Sequence, residues 1–205
     1  MFGRQMESHD LALTMTGPAR EETTAESPQA LERAMAGDRA AFDELLLCYE
    51  RRVLTTAWRI LGTKEDAQDA AQEVFMRLYR HLQRVDPKRP LMPWLYRMTV
   101  NVCHDLHRNR RWDPNLRVEE VDCASPDADP AVEISRAEQK QMIAAALQAL
   151  TEKEREALVL RDIQGLSTNE VAAILGSRET TVRSQISSAR VKIKKFVEKL
   201  QRGHS

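Results

Sequence analysis

Residues 167–190 hold side chains suited to nucleic-acid chemistry. Ser167 and Glu170 have capping-box spacing and open a helix that ends at Gly176. A second helix follows, with Val182 and Ile186 on its inner face. That layout is a helix-turn-helix, whose second helix lies in the DNA major groove. Ser177, Arg178, Glu179, Thr180, Thr181, Arg183, Ser184 and Ser187 are placed to reach base edges and phosphates, and Arg190, Lys192, Lys194 and Lys195 add charge behind them. A helical hairpin with a solvated basic face is the plainer reading of the same spacing. A second run, Asp66 to Phe75, places Asp66, Asp69 and Glu73 on one helical ridge away from the apolar stripe. Such a ridge could meet a basic partner helix or simply be solvated; carboxylates spaced along one helix do not enclose a cation. A third run, Pro93 to Arg111, presents Arg97, Asn101, Asp105 and Arg108 opposite a stripe of Leu95, Met98, Val102 and Leu106. Trp94 and Tyr96 at its start either stack on unpaired bases or pack in the core.

The elements that must carry these residues are all helices. Ser27-Pro28 reads as a cap and first-turn proline for a short helix over 28–36, stopped by Gly37. Apolar residues at 42, 45, 46, 49, 53, 57, 60 and 61 form a helical stripe that ends at Gly62. Thr63, with Asp66 three residues on, caps a third helix whose buried stripe is Ala67, Ala71, Val74, Leu78 and Leu82. Asp86, Pro87 and Pro90 interrupt the pattern, and a fourth helix begins near Pro93 and runs to about Arg111. Thr151 with Glu154 forms another capping box, and Gly165 stands where a C-cap belongs. The last helix carries apolar residues from Val182 to Leu200. Nothing reads as a strand. The expected fold is all-α, with two small helical domains joined by an acidic flexible linker.

The 205 residues carry 31 basic and 31 acidic side chains, so the total charge is zero. The neutral total hides blocks. Residues 1–26, read as a disordered tail, have two basic and five acidic residues. Residues 113–134, the linker, have one basic against seven acidic, and residues 135–205 have thirteen basic against eight acidic. Segregation of that kind suggests different partners for different segments. The expected divisions are a tail at 1–26, a first domain at 27–112, the linker at 113–134 and a second domain at 135–205. No apolar run reaches the length of a membrane span. Three scattered cysteines argue for a reduced, cytoplasmic setting. Cys103, His104 and His107 offer two or three ligands where zinc needs about four, so no metal or other cofactor is expected. No nucleophile–base pair or phosphate-binding glycine loop is present, and the chain does not read as an enzyme.

Together and in this order, the three runs resemble the extracytoplasmic-function (ECF) group of bacterial sigma factors. Asp66–Phe75 is similar to the family's polymerase-binding segment, which implies roles for Asp66, Asp69, Gln72, Glu73 and Phe75. Trp94-Leu95-Tyr96-Arg97 through Arg111 is similar to the helix that reads the −10 element, implying contacts from Lys88, Arg89, Trp94, Arg97, Asn101, Asp105, Arg108, Arg110 and Arg111. Leu158–Ile163, Gly165-Leu166-Ser167 and Thr181–Ser184 resemble the −35-reading domain. The partners so implied are core RNA polymerase, promoter DNA and an anti-sigma factor. Where family members often carry Arg and an aromatic or His in mid-helix, this chain has Gln185, Ser187 and Ser188, which implies fewer phosphate contacts there. On the resemblance, the loop Asp86–Met92 cradles an unstacked base. A linker of 22 residues extends to about 75 Å, enough for about two turns of DNA at roughly 35 Å each. A free-standing DNA-binding regulator is the alternative, and it leaves the first domain idle.

Overall fold

The structure is a computed structural model that describes residues 28–110 and 142–203. The tail, the linker, the Ser27 cap and Arg111 lie outside the described residues. The chain divides into two compact units, and the described residues contain only helices and turns.

The first unit holds α1 (Pro28–Met35), α2 (Arg39–Leu61), α3 (Lys64–His81), a 3₁₀ turn (Leu82–Arg84) and α4 (Leu91–Arg110). Helices α2, α3 and α4 pack against one another, and α1 covers α2. Asp38 caps α2 by accepting from the Ala41 N–H at 3.2 Å, and Arg33 of α1 holds Asp38 at 2.6 Å. Gly62 ends α2 with φ +90°, a left-handed conformation that favours glycine. Thr63 immediately caps α3, so a two-residue corner joins the helices. All five residues of the expected α3 stripe are buried. Helix α4 starts two residues before Pro93, because a proline is tolerated in a first turn whose N–H groups have no helical partner. Beyond Leu95 and Val102, α4 also buries Tyr96, Thr99, Val100 and Cys103, while Met98 and Leu106 are half-buried. The buried face is therefore broader than its apolar stripe. Each large side chain removed from water there contributes about 1.5–3 kcal/mol.

The second unit holds α5 (residues 142–148), α6 (Glu152–Leu158), a π turn (Val159–Ile163), α7 (Thr168–Leu175) and α8 (Glu179–Gly203). Buried Arg155 donates to the carbonyls of Leu147, Leu150 and Gln148 at 2.8, 3.0 and 3.3 Å. A guanidinium thus caps the C-terminal end of α5 and the turn after it, where the Leu147 carbonyl also accepts from the Leu150 N–H at 3.1 Å. The core is built from Leu147, Val159, Leu160, Val171, Val182 and Ala189. Helix α8 packs on α6 and α7.

Candidate functional site

The corner between α7 and α8 forms as its spacing predicts. The Ser167 N–H donates to Glu170 at 2.7 Å, and the Glu170 N–H donates back to the Ser167 hydroxyl at 3.2 Å. Hydrogen bonding by the Ser167 hydroxyl and by the Ser167 N–H holds the Glu170 carboxyl below its ordinary range. Gly176 turns the chain with φ +59°. A Cβ there would meet no neighbour, so backbone conformation alone selects glycine. Arg178, Thr180, Thr181, Arg183, Ser184, Ser187 and Arg190 are exposed, and Ser177 and Glu179 are half-buried. The cations are not idle. Arg183 pairs with Glu179 at 2.8 Å. Arg190 forms a two-pronged pair with Asp162 of the π turn at 2.7 and 2.9 Å. Ser188 faces inward and donates to Glu154 at 2.6 Å, and Lys192 reaches the same carboxylate at 2.7 Å. Burial alone would raise the Glu154 pKa, but the bonds from Lys192, Ser188 and Thr151 outweigh it and hold the value at about 2. Lys192 is therefore turned toward the fold, while Lys194 and Lys195 remain exposed.

The acidic ridge differs from expectation at one end. Asp66 is buried, and the Thr63 hydroxyl donates to it at 2.5 Å. Its place in the cap turns it inward, whereas helix phase alone points it outward. It is removed from the ridge. Asp69 and Gln72 are exposed, and Glu73 and Phe75 are half-buried. Glu73 accepts from Arg77 at 2.7 Å; Arg77 reaches Asp105 of α4 at 3.4 Å, and Asp105 accepts from Arg108 at 3.1 Å. One line of ion pairs thus joins the ridge to α4.

Gln72 and Phe75 also line a groove of about 680 Å³ between α2 and α3. Its other walls are Phe42, Asp43, Leu46, Leu47, Glu50, Met76, Tyr79 and Arg80. Leu47 is 77% exposed and Tyr79 61%, and the rings of Phe42 and Tyr79 meet edge to face at 5.1 Å. Sequence reading missed this groove. The signal was Leu45-Leu46-Leu47, since three consecutive leucines cannot all face one core.

On α4, Arg97, Asn101 and Arg108 are exposed along one face over about 16 Å. Trp94 is half-buried at its start, and Asp105 is half-buried within the ion-pair line. Arg110 is the last residue of α4. In the preceding loop Asp86 accepts from the Lys88 N–H at 3.0 Å and pairs with Arg89 at 3.4 Å, leaving both basic side chains exposed. Cys103 is fully buried and His104 exposed, and no group of three metal-ligating side chains comes together among the described residues.

Two helical units, one with a helix-turn-helix and one with an exposed apolar groove beside a basic helix, define a sigma-70 type of architecture. Comparison with known proteins gives the same class. Residues 45–113 match the model of sigma-70 region 2, and residues 140–193 that of sigma-70 region 4. The chain is 33% identical to the RNA polymerase sigma-H factor of Pseudomonas aeruginosa, over 88% of this chain and 98% of the relative. It is 32% identical to the ECF RNA polymerase sigma-E factor of Escherichia coli, over 84% and 94%. Among solved structures it is similar to CnrH in complex with the cytosolic domain of CnrY, at a TM-score of 0.62 and 28% identity over 83% of this chain and 96% of that one. The chain belongs to the ECF group of RNA polymerase sigma factors. It is a transcription initiation factor that acts with core polymerase at promoters, and the matches do not favour a free-standing regulator.

Proposed function

We propose that the groove between α2 and α3 is where core polymerase docks, with Gln72 and Phe75 in its wall and Asp69 and Glu73 on the same helix. The observation that carries this is the exposure of Leu47 and Tyr79 beside the carboxylates Asp43 and Glu50. An apolar floor with an acidic rim fits a partner helix that presents apolar and arginine side chains. Paired charges on the rim orient that helix more than they tighten it. Asp66 acts indirectly, by fixing the start of α3.

The α4 face of Arg97, Asn101 and Arg108 follows the non-template strand of the −10 element, and Arg110 and Arg111, next in sequence, add positive charge for it. Lys88 and Arg89 flank the loop that receives an extruded base, and Trp94 supports it. Asp105 positions Arg108. Extrusion costs a few kcal/mol, which stacking at about 1–3 kcal/mol per base offsets. In the second domain Ser177, Arg178, Glu179, Thr180, Thr181, Arg183, Ser184 and Ser187 read the −35 element, and Arg190, still clasped to Asp162, turns its remaining N–H edge to phosphate. These roles correspond to domains at 27–112 and 135–205 joined by the acidic linker. The chain works in the cytoplasm, catalyses no reaction itself and uses no cofactor. The described residues contain no helix long and apolar enough to cross a membrane. An anti-sigma protein is a further partner, a reading in line with the structure of CnrH in complex with the cytosolic domain of CnrY.

The test is a pull-down of core polymerase with the double reversal Asp69→Lys, Glu73→Lys, together with start-site mapping on a promoter library. Lost capture with an unchanged melting curve supports the assignment. Undiminished capture removes it.

A further inference from the structure

Arg59 of α2 is half-buried, and its Nε–H is enclosed without an acceptor. No carboxylate among the described residues pairs with it. Burial lowers its pKa to about 10, so it remains a cation at neutral pH. Arg52 stands seven residues earlier, and two helical turns bring it to within about 20° of the same flank. The Tyr96 hydroxyl of α4 lies within electrostatic range of both guanidinium groups. Burial pushes its pKa up to about 12, so it stays neutral and protonated. This cluster lies on the side of the α2 buried stripe away from the groove. By helix phase Arg52 and Arg59 stand about 160° from the centre of the α2 groove residues.

A guanidinium partly withdrawn from water and given no counter-charge is costly to hold. An anion brought to its exposed edge supplies the missing charge without a further desolvation of the cation. Tyr96 precedes Arg97, the first cation of the exposed α4 face. We propose that Arg59, with Arg52 and Tyr96 beside it, is a seat for one phosphodiester of the promoter strand that runs along α4. The proposal rests on the reading of α4 as the −10 helix and adds a contact from a different helix. A guanidinium edge fits a phosphate better than an ammonium does.

The experiment uses holoenzyme made from core polymerase and the full chain, with a fluorescent single-stranded oligonucleotide carrying the non-template −10 sequence. Affinity is measured from 50 to 200 mM salt for wild type, Arg59→Gln, Arg59→Lys and Arg97→Ala. Arg59→Gln should weaken binding several-fold and reduce the salt slope by about 0.7, the value for one single-strand phosphate. Arg59→Lys should keep most of the slope, which a purely structural role does not predict. If Arg97→Ala lowers the slope and Arg59→Gln does not, the seat is wrong and the α4 reading stands. If neither lowers it, the α4 reading itself falls. Loss of core polymerase binding by Arg59→Gln, with strand affinity unchanged in the assembled remainder, would assign the anion to polymerase and overturn the proposal. Should Arg59→Gln fail to fold, Arg59→Lys on oligonucleotides with single neutral methylphosphonates decides it. At one linkage the neutral group should cost wild type more than it costs the lysine variant, and equal costs at every linkage exclude the seat.

Discussion

The two units differ in how deeply their linking charges are set and in how much apolar surface they leave in water. In the second unit the cations and carboxylates tie helices together: Arg155 closes α5, Glu154 gathers Thr151, Ser188 and Lys192, and Arg190 clasps the π turn. In the first unit the main line of ion pairs, Glu73–Arg77–Asp105–Arg108, runs over the surface, and large apolar side chains stay in water at Leu47, Met76 and Tyr79. On the roles proposed above, the difference separates a reader from a docking body. A helix-turn-helix in that role must hold one helix rigid so that a few side chains meet base edges, and the first unit leaves a surface open for a partner to complete.

The sharpest way to break that contrast is to charge the groove. Leu47→Glu should cost at least about 2 kcal/mol of polymerase affinity, the scale of an interface anchor. Its melting temperature should stay at the wild-type value, because a side chain 77% exposed contributes little to the fold. Titration with core polymerase and a thermal melt measure the two sides. Retained affinity would mean that the open surface is not a docking surface.

Arg183→Ala probes the reader. If its guanidinium leaves Glu179 for a guanine, the loss is about 1–3 kcal/mol and preference relaxes at one −35 position. The exposed pair that it gives up is worth little. Binding to a set of single-base promoter variants distinguishes this from an even loss on all sequences, the mark of a phosphate contact.

Glu154→Gln tests whether the second unit depends on its buried hub. Stability should fall by about 1–2 kcal/mol at neutral pH, from weakened charged hydrogen bonds. The acid limb carries its own signature. The folded pKa is lowered to about 2 from an ordinary value of about 4.5. The contribution is therefore complete above the ordinary value and is lost as pH falls toward 2. Chemical denaturation from pH 7 to 2 should show the wild-type advantage over Glu154→Gln shrinking across that window.

The smallest effect is expected at Arg77. Arg77→Met cuts the surface line and should change stability by no more than about 1 kcal/mol. If it also weakens −10 strand binding by holoenzyme, Asp105 and Arg108 depend on α3 for their placement. If strand binding is unchanged, the two faces of the first unit work separately.

Local rules made much of this legible in the sequence. Thr63, Thr151 and Ser167 each cap the helix that spacing assigned to them, and the α3 stripe is buried residue for residue. These features depend on neighbours three or four positions away. Asp66 shows where phase reasoning stops: at the third position of a helix, a carboxylate bends back to the cap instead of following the ridge. Glu154 was legible as a cap and not as a hub, because Ser188 and Lys192 lie 34 and 38 residues away. The groove was hidden for a related reason. Leucines left in water look in a sequence like leucines in a core. Pattern placed the side chains proposed for the −35 element on an outward face, of which Ser177 and Glu179 are half-buried, and the clasps of Arg183 to Glu179 and of Arg190 to Asp162 were not visible there.

The π turn after α6 works as a phase shifter. One residue beyond an α-helical count rotates the downstream chain by about 100°, and the Gln164 N–H accordingly reaches back five residues to Val159 at 2.9 Å. Asp162 stands in this wide turn, where it meets Arg190 from α8. Removing a single residue from 159–163 would restore the regular winding while swinging that carboxylate off its partner. The segment is therefore a counted spacer, and a lineage that loses one residue here must find another way to steady the reading helix.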